Sequence, residues 1–161
     1  MAPLAERPDE TPPPLTGDEA QRALRVGAWA SVPRDVVRVE GVEATQFLQG
    51  QLSAELTTVD EGDARWSLLL TPQGKTVAWL RATRLHPETW LLDVDDGHGE
   101  AVEARLRRFL LRTDATVQVD DSWRFRAVRG PAELDVRYPQ EAHLLTLPVW
   151  WRGLVGYDII A

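Results

Sequence analysis

Four polar side chains on two short stretches are the residues of this chain most suited to chemistry. Gln49, Gln51 and Glu55 lie in the segment GVEATQFLQGQLSAEL, residues 41–56, and Lys75 closes the segment Thr71-Pro72-Gln73-Gly74-Lys75. Amides and carboxylates do not fill a core without partners, because an unpaired buried polar group costs about 2 kcal/mol or more. They therefore face water or meet something polar. The rest of the chain offers less. No dinucleotide, P-loop, zinc-protease or nucleophile-elbow pattern occurs. His86, His98 and His143 are far apart and read as turn or surface residues. Asp93, Asp95 and Asp96, and likewise Asp120 and Asp121, do not match a calcium loop and read as turn formers and caps. Arg105, Arg107, Arg108 and Arg112 read as the solvated face of a helix.

Composition narrows the chemistry further. The 161 residues contain no cysteine, so disulfides, thiolate nucleophiles and thiolate metal ligands are excluded. A net charge of -7 is poorly suited to nucleic acid, whose affinity comes from Lys and Arg displacing counterions, so no direct nucleic-acid partner is expected. No stretch approaches the roughly 20 apolar residues that span a bilayer. The start, MAPLAERPDETPPPL, has acids and prolines where a signal peptide needs a basic and then an apolar region. A cytoplasmic, bacterial-like protein without a membrane partner is expected. Seven tryptophans can each bury a large apolar area, so a core is feasible.

The elements that must position the candidate residues follow from periodicity. Residues 1–15, with prolines at 3, 8, 12, 13 and 14, read as a disordered leader. Thr16 and Glu19 form a capping-box pattern that opens a helix reaching about Gly27, with Ala20, Ala23, Leu24 and Gly27 inward. Val36, Val37 and Val39 make a strand that ends at Gly41. Ala44, Phe47, Leu48 and Leu52 define one helical face, with Gly50 as a terminator through its tolerance of left-handed angles. Residues 64–71 and 76–85 flank the turn Pro72-Gln73-Gly74-Lys75 as a hairpin, and residues 90–94 add a third strand. A helix over residues 100–112, with Val102, Leu106, Phe109 and Leu110 inward, precedes strands at 115–119, 123–129, 143–151 and 154–160. Three helices and seven or eight clustered strands predict an α+β fold with mainly antiparallel sheet. The expected organisation is the leader, a domain over 16–122, and remaining strands or the start of a second lobe over 123–161. The apolar finish Ile159-Ile160-Ala161 predicts a strand edge capped by another chain, or a chain that has lost its remainder.

From about Arg34 to Gly130 the ordered set resembles the YgfZ-type folate-binding proteins of the glycine-cleavage T-protein (aminomethyltransferase) superfamily. It comprises a strand ending in glycine, Phe47-Leu48-Gln49-Gly50-Gln51, the Thr71–Lys75 turn, and the helix and strand that follow. The resemblance implies the superfamily's N-terminal folate-binding domain, part of a ring of domains around a channel for tetrahydrofolate. It implies Gln49, Gly50, Gln51, Glu55, Gly74 and Lys75 as folate-binding residues. Glu55 aligns with the aspartate of the T-protein, so the carboxylate is kept but moved by one methylene. A shift of ~1 Å at a catalytic group costs about a hundredfold in rate, and binding tolerates it better. No complete catalytic site is implied.

The lysine-glycine-cysteine signature of the YgfZ-type second half is absent. The leading expectation is therefore a fragment or split subunit that binds tetrahydrofolate and supports iron–sulfur cluster maintenance or tRNA-modifying enzymes. An aminomethyltransferase-like half that needs a partner chain, or a ligand-free interaction module, is the alternative. The partner expected is a second chain carrying the C-terminal half, or a second copy joined through the C-terminal strand. Chemically, a folate would use a carboxylate or amides for its aminopyrimidinone edge, an apolar slot for its ring and a cation for its glutamate tail.

Overall fold

The computed structural model describes residues 16–130, 145–149 and 155–161. Helix α1 spans Gly17–Val26, followed by β1 (Ala28–Ser31) and β2 (Arg34–Glu40). Helix α2 (Ala44–Gln49) leads through a loop to β3 (Ala64–Leu70), β4 (Thr76–His86) and β5 (Thr89–Asp95). Helix α3 (Gly99–Arg107), β6 (Thr116–Val119), β7 (Phe125–Gly130), β8 (Leu145–Pro148) and β9 (Val155–Ile160) complete the described elements. The strands form a five-stranded sheet ordered β3-β4-β5-β2-β6 and a four-stranded sheet ordered β1-β7-β9-β8, and every named pairing is antiparallel. The α+β class expected from clustered strands is the one observed.

Local sequence explains the start of α1. The Thr16 hydroxyl accepts from the Glu19 amide, and the Glu19 carboxylate accepts from the Thr16 amide at 2.9 Å, closing the capping box. One face of the large sheet then carries the main core. Val37, Val39, Leu80, Ala82, Trp90, Leu92 and Val117 pack there with Phe47 and Leu48 of α2, Leu52, Leu56 and Val59 of the following loop, and Val102 and Leu106 of α3. Trp90 is fully buried, and its indole N–H donates to the Thr45 hydroxyl at 2.9 Å, which ties α2 to β5. The opposite face meets the small sheet through Val36, Leu91, Phe125, Leu147 and Ile160. Gly41 allows the chain to turn from β2 towards α2: its φ is 144°, and a Cβ there would lie 2.3 Å from the Asp114 carbonyl oxygen.

Between the sheets lies a network of ionised side chains. Asp93 is only 1% exposed and accepts from Arg34 Nε at 2.6 Å and from Arg81 Nε at 2.8 Å. Arg81 Nη1 reaches across to Asp158 of β9 at 2.8 Å, and Arg129 of β7 donates to the same carboxylate at 2.7 Å. Burial alone would lower the Arg81 pKa, but Asp93 and Asp158 outweigh it and raise the pKa, so the guanidinium stays charged.

Several expectations are corrected. Asp93 is no turn former: it faces two arginines from the interior of β5. Helix α3 stops at Arg107, because single i→i−3 turns at Phe109 and Leu110 replace helical bonding and Arg112 takes a left-handed φ of 63°. Phe109 consequently lies outward, 42% exposed. Helix α2 ends at Gln49, and Gly50 keeps a right-handed φ of -81°, so no left-handed cap operates there. Leu52 still packs inward, but from a bridge to Leu69. Strand β1, only four residues long and separated from α1 by Gly27, carries no periodic signal of its own. The C-terminal strand β9 lies between β7 and β8, so it has no open edge to offer a second copy. The expected leader, His143 and part of the strand expected at 143–151 fall outside the described residues.

Two substitutions test this core by urea unfolding. Asp93→Ala leaves two buried guanidinium groups short of a carboxylate and is expected to cost about 3–5 kcal/mol. Thr83 is fully buried, and its hydroxyl has no hydrogen-bond partner among the described residues. Thr83→Val keeps the shape, removes that penalty and is expected to stabilise the protein by about 1 kcal/mol.

Candidate ligand site

The loop after α2 is closed by its own polar side chains. As the helix runs out at Gln49, the amide oxygen accepts from the Leu56 backbone N–H at 2.7 Å. The same amide donates to Glu55 Oε2 at 3.2 Å. Glu55 Oε1 accepts from the Thr57 N–H at 2.9 Å and from the Thr57 hydroxyl. These donors, chiefly the Thr57 hydroxyl and then its N–H, hold the exposed Glu55 carboxyl below its usual pKa despite a small opposing effect of burial. The loop presents an ionised carboxylate at neutral pH. Three of about four acceptor positions are occupied, which leaves capacity on Oε2.

The loop is also stitched to the edge of the large sheet. Leu52 bridges Leu69 in antiparallel sense, the Ser53 N–H donates to the Leu68 carbonyl at 3.1 Å, and the Ala54 N–H donates to the Ser67 hydroxyl at 3.0 Å. This direction places Gln51 beside the end of β3, while Glu55 lies further back along the strand. At about 3.3 Å per residue the four steps between them span at most roughly 13 Å.

Arg105 joins Gln51 to the hairpin. Its Nη1 donates to the Gln51 side-chain oxygen Oε1 at 3.2 Å, and its Nη2 donates to the Leu70 backbone carbonyl at 2.9 Å. Its guanidinium lies 4.0 Å from the Phe109 ring centroid. The turn begins one residue beyond Leu70. The Thr71 N–H donates to the Lys75 carbonyl at 2.8 Å, the Gly74 N–H to the Thr71 carbonyl at 2.9 Å, and the Lys75 N–H to the Thr71 hydroxyl at 3.2 Å. Gly74 has a φ of 79°, where glycine alone is unstrained. Lys75 is exposed.

Of the six residues singled out in the sequence, Gln49 and Glu55 are in contact, and Gln51 is linked through Arg105 to Leu70, just before the turn that holds Gly74 and Lys75. Gly50 is exposed between Gln49 and Gln51. The joining residue, Arg105, was read as solvated. Its spacing of four residues from Phe109, which the sequence pattern places on the same helix although α3 stops at Arg107, is the one local signal for it. Among the described residues no group of three or more His, Asp or Glu side chains is arranged to hold a metal ion.

Comparison with known proteins decides the family of folds. No family model matches the chain. Its sequence is 31% identical over 112 residues to an aminomethyltransferase of Exiguobacterium sibiricum, covering 70% of this chain and 31% of that protein. It is 25% identical over 142 residues to an aminomethyltransferase of Saccharopolyspora erythraea, covering 86% and 39%. The structure superimposes on glycine cleavage system aminomethyltransferase T from Bartonella henselae with a TM-score of 0.67, 19% identity, and coverage of 83% of this chain and 41% of that one. In sequence and in fold the chain is similar to part of the aminomethyltransferases. It spans between about a third and two fifths of the length of the aminomethyltransferases it matches.

Within this aminomethyltransferase-type domain the loop carboxylate has a measurable signature. Thr57→Ala removes the hydroxyl donor that chiefly depresses the Glu55 pKa. The carboxyl titration followed by NMR is expected to move up towards the ordinary carboxylate value. The sign for stability follows: a depressed carboxylate pKa stabilises the fold above the unfolded-state pKa and loses that contribution as pH falls through the folded-state value. The wild-type loop should therefore loosen on acidification over a range that the variant does not share. An unchanged Glu55 titration in the variant would refute this assignment.

Proposed function

We propose that this chain is a tetrahydrofolate-binding domain of the aminomethyltransferase superfamily, acting as one part of a larger assembly and not as a complete transferase. The observation that carries the reading is the aminomethyltransferase domain fold, with the closed loop after α2 tied to the hairpin turn by Arg105. The residues fit the chemistry of a reduced folate. Glu55, ionised and with acceptor capacity left, would take N–H groups of the aminopyrimidinone edge. The Gln51 amide uses its oxygen on Arg105 and makes no hydrogen bond through its nitrogen among the described residues, so it keeps a donor. Gln49 and Gly50 shape the loop, and Gly74 lets the backbone turn so that Lys75 can meet the anionic glutamate tail.

The finer reading is a YgfZ-like role in the cytoplasm, supporting iron–sulfur or tRNA-modifying enzymes. Among the described residues no helix is long and apolar enough to cross a membrane. Coverage of about a third to two fifths of the matched aminomethyltransferases favours a domain that works with further polypeptide.

Isothermal titration of the full chain with tetrahydrofolate tests the binding reading. Saturable heat with a Kd below about 1 mM, equivalent to roughly 4 kcal/mol of binding free energy, is expected. Lys75→Ala and Gln51→Ala are each expected to weaken binding several-fold while leaving the unfolding midpoint within about 0.5 kcal/mol for Lys75→Ala. No heat at millimolar ligand would overturn the reading for this chain.

A further inference from the structure

Among the described residues, the large sheet has one face covered by helices and loop and a second face covered only in part. The small sheet seats its apolar residues against Val36 of β2 and Leu91 of β5. Further out on the same face, the antiparallel register sets Trp66 opposite Arg81 and Leu68 opposite Trp79. Trp66 and Trp79 stack with ring centroids 4.5 Å apart, and they are 46% and 52% exposed. Leu68 is exposed beside them. The guanidinium carbons of Arg81 and Arg34 lie 5.3 and 5.8 Å from the Trp66 ring centroid, held there by Asp93 and its neighbours. The tryptophans therefore form a rigid apolar platform on a fixed ionic base.

We propose that this platform docks the aminomethyltransferase-type lobes that have no counterpart within these 161 residues. The inference rests on the reading of the chain as one part of a larger assembly, and three observations carry it. The matched stretch accounts for 41% of the solved aminomethyltransferase, so that protein has more than half its length with no equivalent here. The platform continues an interface that already exists, because it lies on the face that receives the small sheet. Its residues are of the kind that dominate binding energy, since large aromatic side chains held in place before binding lose little freedom on association. Strand addition at the neighbouring β3 edge is partly blocked by the loop paired to Leu68 and Leu69. A partner must therefore approach through the side chains of this face.

Hydroxyl-radical footprinting of the protein in fresh extract of its source, against the purified 161-residue chain, tests the proposal. Trp66 and Trp79 are expected to be oxidised at least several-fold more slowly in extract, with exposed Trp29 as an unprotected reference. A tagged chain should co-purify with a polypeptide whose sequence aligns to the unmatched part of aminomethyltransferases, and the double variant Trp66→Ser/Trp79→Ser should release it. Both side chains are half exposed, so the variant should keep its fold by circular dichroism. Equal oxidation in the two samples would overturn the proposal. So would protection that already appears, with concentration, in the purified chain, since that result means a second copy covers the face. The tetrahydrofolate titration reads the ligand separately, so loss of the docking inference leaves the folate result standing.

Discussion

The Asp93 carboxylate is the constraint on which the arrangement of both sheets depends. Its Oδ1 accepts from Arg34 and Arg81, and its Oδ2 accepts from Arg81 again. From there the charges alternate outward: Arg34 also reaches Asp95, Arg81 also reaches Asp158, and Arg129 closes the line on Asp158. Three guanidinium groups face three carboxylates, of which Asp95 is exposed, so each buried or half-buried charge has an opposite partner. That balance matters, because a buried pair gives little net stability but loss of one partner leaves an uncompensated charge. The network instead specifies register. A one-residue slip of β5 would turn Asp93 onto the apolar face that carries Trp90 and Leu92, away from Arg34 and Arg81.

The same network accounts for features at a distance. Because Arg81 of β4 bonds both Asp93 of β5 and Asp158 of β9, the small sheet cannot shift over the large one without breaking a charged hydrogen bond. Gly156 permits the close approach of β9 to β7, since a Cβ there would lie 2.0 Å from the Val128 carbonyl oxygen. Trp66 takes its place from Arg34 and Arg81 beneath it. The exposed aromatic platform is thus built on the ionic network and inherits its rigidity.

What the sequence made legible was local. The Thr16–Glu19 capping box, the hairpin around Gly74 and the inward face Ala44, Phe47 and Leu48 are each written within a few residues, and each is present. What stayed hidden spans long separations. The bonds from Arg34 to Asp93 and from Arg81 to Asp158 cross 59 and 77 residues, and nothing near Asp93 distinguishes it from the turn acids that follow. The end of α3 was overrun because Phe109 and Leu110 extend its apolar period past the point where the chain leaves the helix. The candidate site divides in the same way. That Gln49 and Glu55 need polar partners was readable from residue type, and those partners are local, at Leu56 and Thr57. Arg105 was missed because its contacts, Gln51 and Leu70, come from other elements.

The two proposed surfaces are not independent, and the connection is covalent. The turn bearing Gly74 and Lys75 joins β3 to β4, and those strands carry Leu68 and Trp79. Loop and hairpin share one further anchor, Arg105, whose two bonds hold Gln51 and the end of β3 together. A partner seated on the tryptophans would bear on the strands that lead into the turn and the Arg105 contacts, so partner and ligand would each alter the affinity of the other. Coupling of this kind is reciprocal by thermodynamic necessity: whatever factor the partner gives the ligand, the ligand gives the partner. A domain that spans only part of an aminomethyltransferase would thereby hold its ligand best when assembled.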